Sequence, residues 1–215
     1  MTSSRKSSRA LILANGPFPP PDILRDLRTH ATLIVCADGG ANWARRSKIR
    51  PDVILGDLDS ILPSTKRHFR ETPILRIDDQ ESTDLEKAIR YCVGRRIASA
   101  DIIGALGERI DHTTGSLGCF KKFGEQIQLR FVDSVGELTL VKGSVRFKTK
   151  KGERVSLIPL DRCKGVSTTN LKYALKNSVL ELGVREGISN EATRGFAAVA
   201  VKKGTLLLYR FRNLG

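Results

Sequence analysis

No stretch of this chain approaches the roughly 18 consecutive apolar residues that a membrane span requires, and none of its cysteines forms a CxxC pair. The first absence excludes a spanning helix. The second, with Cys36, Cys92, Cys119 and Cys163 far apart and mostly in apolar contexts, leaves no basis for a zinc site or a disulfide framework. Buried, reduced thiols in a cytoplasmic protein are the reading that fits. Neither GxxxxGK[ST] nor GxGxxG occurs, which removes a P-loop kinase and the dinucleotide-binding fingerprint. Aromatic residues make up only 6%, too few to suggest the stacking platforms of single-strand nucleic-acid binders. Acidic residues are the minority charge: 37 Lys and Arg stand against 23 Asp and Glu, a net +14. That balance favours phosphate-bearing partners, from nucleotides to nucleic acid. The basic residues are spread rather than striped, so solubility and weak non-specific RNA binding account for them without a specific nucleic-acid partner.

What is present is a globular composition, 40% hydrophobic and 28% charged over 215 residues, enough for one large domain or two small ones. The opening MTSSRKSSR is basic and Ser-rich, but the apolar run Ala10–Ala14 follows at once and reads as a first strand rather than a signal core. Residues 1–8 are expected to be a frayed tail.

Two hydrophobic rhythms alternate through the first half. Strands are predicted at ALILA (10–14), TLIVCA (32–37), VIL (53–55), PILRI (73–77), DIIGAL (101–106) and IQLRFVD (127–133). Between them fall a helix after Pro19-Pro20-Pro21, a short helix over Ala41–Arg46, one over Ser64–Glu71, one capped by Ser82 or Thr83, and one over Asp111–Phe123. Such alternation predicts an α/β domain, a mostly parallel sheet with helices on both faces, over residues 1–141. Beyond about residue 140 the runs become short and β-rich, as in SVRFKTK, ERVSLIPL and AAVAVKKGTLLLYRF, the last with Lys203-Gly204 at an expected hairpin turn. An all-β domain is predicted over residues 142–215.

The organising stretch is PDVILGDLDS (51–60). Val53-Ile54-Leu55 is the apolar run of a buried parallel strand, and Gly56 lets the backbone pass something closely. Asp57 and Asp59 follow two residues apart; in an extended chain their carboxylates point the same way. Like charges so placed call for a cation, a donor or a shared proton, and a hard divalent ion such as Mg2+ is the simplest remedy. Taken alone, the pair reads first as a polar strand-to-loop turn with two solvated acids. It does not stand alone. Asn15-Gly16 follows the first predicted strand and Asp38-Gly39-Gly40 the second; Asp78, Asp79, Glu81 and Asp84 follow the fourth, and GALGERID (104–111) the fifth. In open α/β sheets these carboxyl ends are where ligands bind. Helix N-termini and glycine turns there supply N–H donors for phosphate, and Arg109 is the best-placed side chain to clamp one. The alternative for Arg109 is an ion pair with Asp111 or Glu108, and His112 reads as a capping or structural histidine.

ADGGAN (37–42), PDVILGDLDS (51–60), DQESTDLEKA (79–88) and GALGERIDHTTGSL (104–117) resemble thiamine pyrophosphokinases in order, spacing and wording, and VSTTNLKYAL (166–175) with GISNE (187–191) resembles that family's second domain. The resemblance implies transfer of pyrophosphate from ATP to the hydroxyethyl group of thiamine with release of AMP. It also implies an α/β nucleotide-binding domain followed by a β-sandwich, assembled as a homodimer with thiamine at the subunit interface. Carried over by position, Asp57, Asp59 and Asp84 hold Mg2+ and the triphosphate, and with Asp111 and Arg109 form the catalytic set. Asn15, Asp38, Asn42, Gly107 and Arg109 serve the nucleotide. Gln80 faces thiamine from one chain, and Tyr173, Ser189 and Asn190 face it from the other. Three positions depart from the family's pattern: Glu81 where Asp is frequent, Asn170 where Gly is usual, and Tyr173 where some members carry Trp. Asn tolerates a positive φ, so the turn at 170 survives. Two alternatives stay open on the residues alone: a pyrophosphokinase for another alcohol such as a hydroxymethylpterin, and a non-catalytic basic protein that binds RNA.

Overall fold

The computed structural model describes residues 8–212. It divides into two compact units between Ser134 and Val135. Of the expected tail, residues 1–7 lie outside the described residues; Ser8 is not frayed, since its carbonyl accepts hydrogen bonds from the N–H groups of Ala98 (3.1 Å) and Ser99 (3.3 Å). No helix among the described residues is long and apolar enough to cross a membrane.

The first unit carries β1 (Arg9–Leu13), α1 (Pro21–His30), β2 (Leu33–Ala37), α2 (Gly40–Arg46), β3 (Val53–Gly56), α3 (Pro63–His68), β4 (Ile74–Arg76), α4 (Asp84–Gly94), β5 (Ser99–Ile103), α5 (Ile110–Phe123) and β6 (Gln128–Val132). Its strands run in the order β6-β5-β1-β2-β3-β4, and each neighbouring pair is parallel. Parallel sheets are covered on both faces, so their strands must be apolar throughout; Ala10, Leu11, Ile12 and Leu13 are all fully buried. Successive side chains point to opposite faces. Leu11, Leu13, Cys36 and Ile54 share one core with Leu24 and Leu27 of α1 and Ala41 and Ala44 of α2. On the other side α4 packs on β1, β2 and β3, and Phe120 of α5 meets Phe131 of β6 with ring centroids 4.9 Å apart. Helices thus cover both faces, as the sequence alternation predicted.

Local signals set the helix starts. Pro21 occupies the first turn of α1, where its missing N–H costs nothing. Thr83 caps α4, its hydroxyl accepting the Glu86 N–H at 3.3 Å. The fifth strand is shorter than expected: it ends at Ile103, because Gly104 adopts φ +71° and turns the chain toward the end of β1, where Gly16 N–H donates to Gly104 O at 2.7 Å. A side chain at Gly104 would meet the Ala14 carbonyl oxygen at 2.6 Å, so only glycine lets the two strand ends approach this way.

The second unit is all β: β7 (Gly136–Val141), β8 (Ser144–Lys148), β9 (Arg154–Pro159), β10 (Cys163–Thr169), β11 (Ser178–Leu180), β12 (Gly187–Glu191), β13 (Phe196–Ala200) and β14 (Leu206–Phe211). They form two antiparallel layers, in the orders β12-β9-β14-β7 and β11-β10-β13-β8. Val155, Leu157, Leu206 and Leu208 from one layer share a single core with Val166, Leu180, Ala197 and Val199 from the other, which is the arrangement of a sandwich. The expected hairpin at Lys203-Gly204 does not form. β13 pairs with β8 and β10, whereas β14 pairs with β7 and β9, so residues 201–205 carry the chain from one layer to the other. Partner choice is decided by the shared core and not by the local turn.

Candidate active site

The carboxyl ends of β1 to β5 converge on one cavity of about 520 Å³. Asn15 and Gly16 line it from the end of β1, Asp38 from β2, and Asp57 and Ser60 from β3; Asp79, Gln80 and Asp84 reach it after β4, and Gly107, Arg109 and Asp111 after β5. Five separate connections thus supply one surface. Of the expected nucleotide residues Asn42 is not among the lining groups. Its side chain instead clips the neighbouring loop, donating to Ser60 O at 2.8 Å and accepting from Leu62 N–H at 3.1 Å.

The two acids of the central stretch come together by a different route from the one extended geometry suggests. β3 stops at Gly56, and Leu58 takes the left-handed conformation, φ +69°. This curls Asp59 back so that its N–H donates to Asp57 Oδ1 at 3.2 Å. One carboxylate oxygen each from Asp38, Asp57 and Asp59 then lie within 4.8 Å of one another. Asp38 is buried, and burial pushes its pKa up; the hydrogen bond from Ser60 opposes that, while the neighbouring Asp84 and Asp57 charges add to the rise. Asp38 Oδ2 accepts the Ser60 N–H at 3.2 Å, but buried Oδ1 has no hydrogen-bond partner in the structure. An unsatisfied buried acceptor beside two further carboxylates is the donor set a hard, oxygen-seeking divalent cation takes.

Asp84 sits at the first position of α4. Its Oδ1 accepts from the Asp57 N–H at 3.3 Å and from the Lys87 ammonium at 2.9 Å. A Cβ placed on Gly56 would come within 2.9 Å of that same oxygen and 3.0 Å of the Asp38 Cβ. Gly56, with φ +146°, is therefore what allows three acidic segments to crowd one point.

Arg109 is engaged with Asp111, as the ion-pair alternative holds: Nε donates to Oδ1 at 3.1 Å, and Nη2 pairs with Oδ2. Both side chains are exposed. That Arg109 hydrogen bond holds the Asp111 carboxyl at a pKa of about 2. On the connection after β4, Asp79 accepts from Glu81 N–H at 2.9 Å, from Ser82 Oγ, and from Arg90 at 3.1 Å; Ser82 and its neighbours draw its pKa down. This fixes the loop bearing Gln80, whose side chain is exposed at the cavity.

The remaining expected residues lie in the second unit, where Asn190 and Tyr173 are tied to each other. Asn190 is buried; its Oδ1 accepts the Tyr173 N–H at 3.0 Å and its Nδ2 donates to the Tyr173 carbonyl at 2.8 Å. Ser189, exposed and at φ +56°, donates its N–H to Ser156 Oγ at 3.0 Å. Tyr173 projects with 61% of its surface exposed. Asn170 has the positive φ expected of it, +58°.

Comparison with known proteins agrees with this architecture. Residues 24–131 match the sequence model of the thiamin pyrophosphokinase catalytic domain, and residues 144–206 match that of the thiamin pyrophosphokinase vitamin B1 binding domain. A curated relative, thiamine pyrophosphokinase 1 of Arabidopsis thaliana, is 30% identical over 210 residues, covering 84% of this chain and 78% of its own. The chain belongs to the thiamine pyrophosphokinase family. The fold agrees too. The Bacillus subtilis thiamine pyrophosphokinase structure superposes with a TM-score of 0.82 at 24% identity, covering 96% of this chain and all of its own. The Candida albicans structure superposes with a TM-score of 0.85 at 19% identity, covering 96% and 90%.

Four lining residues were not legible as such in the sequence: Ser60, Ser82, Ser116 and Lys87. Ser60 and Ser82 carry no signal, since Ser is common in loops and caps, and Ser116 is an ordinary small residue within α5. Lys87 is buried near the start of α4, three residues after Asp84, but at helical spacing it lies off the Leu85, Ala88 and Ile89 face, so its sequence position does not announce it.

Proposed function

We propose that this chain transfers the pyrophosphoryl group of ATP to the hydroxyl of thiamine, giving thiamine diphosphate and AMP. The observation that carries the reading is the gathering of Asp38, Asp57 and Asp59 at the mouth of five strand ends. A cavity ringed by carboxylates repels a triphosphate unless a cation intervenes. Asp57, Asp59 and Asp38 would hold Mg2+, with Asp84 oriented beside them by Asp57 N–H and Lys87. When bound, the ion neutralises the triphosphate and polarises its oxygens. Arg109 and Asp111 form an exposed pair at the rim, from which the guanidinium reaches phosphate by exchanging a carboxylate for it. Asn15 and Gly107 border the nucleotide, and Asn42 holds the Ser60 loop in place for it.

Phosphoryl-type transfers need positioning and charge neutralisation more than a strong base, which suits a site rich in carboxylates whose histidine, His112, stands at a helix start. Thiamine is read as held by Gln80 of one subunit and by Tyr173, Ser189 and Asn190 of the partner in a homodimer. The Tyr173 ring offers a face to the cationic thiazolium, and Asn190 fixes the Tyr173 backbone. The first unit is the ATP and Mg2+ domain, the second the thiamine domain, and the compartment is the cytoplasm, where four buried free thiols stay reduced.

The test is AMP formation from ATP, Mg2+ and thiamine. Asp57→Asn and Asp59→Asn are each expected to lower it by a hundredfold or more, on the order set by lost transition-state charge stabilisation, with the fold retained. Activity on a hydroxymethylpterin alone overturns the substrate assignment. Steeply salt-dependent RNA binding with indifference to Asp57→Asn overturns the enzyme.

A further inference from the structure

Lys87 is an odd residue to find where it is. Its side chain is 3% exposed, although an ammonium is expensive to bury without partners. It stands in the N-terminal part of α4, where the helix dipole already presents positive charge. A buried lysine so placed, with a carboxylate partner that itself faces the site, is set to do more than cover apolar surface. Its surroundings say what. Nζ donates to Asp84 Oδ1 at 2.9 Å, and the residue lines the cavity into which the five strand ends open. An ammonium has three N–H groups, and Asp84 uses one. Asp84 Oδ1 is also held from a second side by the Asp57 N–H at 3.3 Å. The ammonium is thus a tethered, nearly dry cation at the edge of a site that also holds Asp38, Asp57 and Asp59.

From this we infer that Lys87 is a substrate-contacting residue: anchored through Asp84, its ammonium donates hydrogen bonds to the pyrophosphoryl oxygens of bound ATP. The inference rests on the reaction proposed above. In that reaction the thiamine hydroxyl oxygen forms a bond to the β-phosphorus, and the bond from that phosphorus to the oxygen bridging the α-phosphate breaks. The electron pair stays on AMP, and the hydroxyl proton passes to solvent. Negative charge on the equatorial oxygens of the moving group is met by a fixed donor in a water-poor site, where such a donor counts most. Arg109 differs in kind. It is two-thirds exposed and paired with Asp111 through Nε and Nη2, so it acts from the rim, whereas Lys87 acts from within.

The experiment uses the full chain with Lys87→Met and Lys87→Gln, the latter retaining a neutral hydrogen bond toward Asp84. Three quantities are read: kcat for AMP release, affinity for α,β-methylene-ATP, and affinity for AMP, each with thermal melts as a control of folding. The expected result is a fall in kcat of about a hundredfold and weaker binding of the methylene analogue by about tenfold, with AMP affinity unchanged in both variants. AMP lacks the groups Lys87 is assigned to touch, and measuring the analogue with and without Mg2+ separates a direct contact, which weakens both, from a displaced Asp84, which weakens only the Mg2+-dependent binding and overturns the inference. Unchanged kcat and analogue affinity in a folded variant overturn the inference, and so does equal weakening toward AMP. Failure of both variants to fold assigns the ammonium to the fold and overturns it as well. If the wild-type chain makes no thiamine diphosphate, the parent reading has failed, an outcome separate from any of these.

Discussion

Asn190 holds Tyr173 by both of its backbone polar groups. The Tyr173 N–H reaches Asn190 Oδ1 at 3.0 Å while Asn190 Nδ2 reaches the Tyr173 carbonyl at 2.8 Å, and Oδ1 also takes the Glu191 N–H at 2.9 Å. A buried amide with three such bonds leaves orphaned backbone groups when it is cut back. Asn190→Ala is expected to destabilise the protein by about 2–4 kcal/mol, measured by denaturant unfolding. At a permissive temperature it is expected to raise KM for thiamine more than KM for ATP.

The raised pKa of Asp38 has a defined sign. The native state holds that proton more tightly than the unfolded chain, so this group favours folding at low pH, and its contribution is lost as pH rises through the raised value. At neutral pH without metal, the charged Asp38 is therefore a burden. Asp38→Asn keeps an acceptor for Ser60 N–H and tolerates the local φ of +41°. The variant is expected to be more stable than the parent by about 1 kcal/mol in EDTA, a rise in melting temperature of about 2–4 °C, and to lose most of the stabilisation that Mg2+ gives the parent.

Asp111 carries the opposite sign. Its pKa of about 2 is depressed by Arg109, so the pair contributes above the ordinary carboxylate value, and the contribution fades as pH falls toward 2. A carboxyl titration followed by NMR is expected to place Asp111 near 2, and to return it to about 4 in Arg109→Met. An unmoved midpoint in that variant would show that Arg109 is not the cause.

Gly56→Ala tests the crowding of acids. The added methyl would sit 2.9 Å from Asp84 Oδ1 at a φ of +146°, a region closed to side chains. A loss of about 2–3 kcal/mol in stability is expected, together with weaker Mg2+ binding, measured by calorimetric titration against the parent.

Much of this was legible in the sequence because the signals were local. Strand runs such as Val53-Ile54-Leu55 must be apolar in a doubly covered sheet, and Asn170 announces a left-handed turn by its type. The site's acids were legible because they fall at strand ends. Their geometry was not: Asp57 and Asp59 approach through a left-handed Leu58, a conformation that its side chain does not advertise. Lys87 was hidden by its neighbours, since Glu86-Lys87 reads as a solvated face while both are buried. The crossing at Lys203-Gly204 was hidden for another reason. A Lys-Gly turn between two apolar runs looks the same whether the runs pair or part, and the strands that decide the matter lie tens of residues away.

That crossing has a consequence for biosynthesis. β14 follows every other strand of its layer in the chain yet lies between β7 and β9. On a ribosome, β7 and β9 emerge early with bare flanks and must wait for the strand that joins them. Unpaired flanks of this kind recruit other chains, so stalled or truncated translation products ending before Leu206 are the species expected to depend most on holding chaperones.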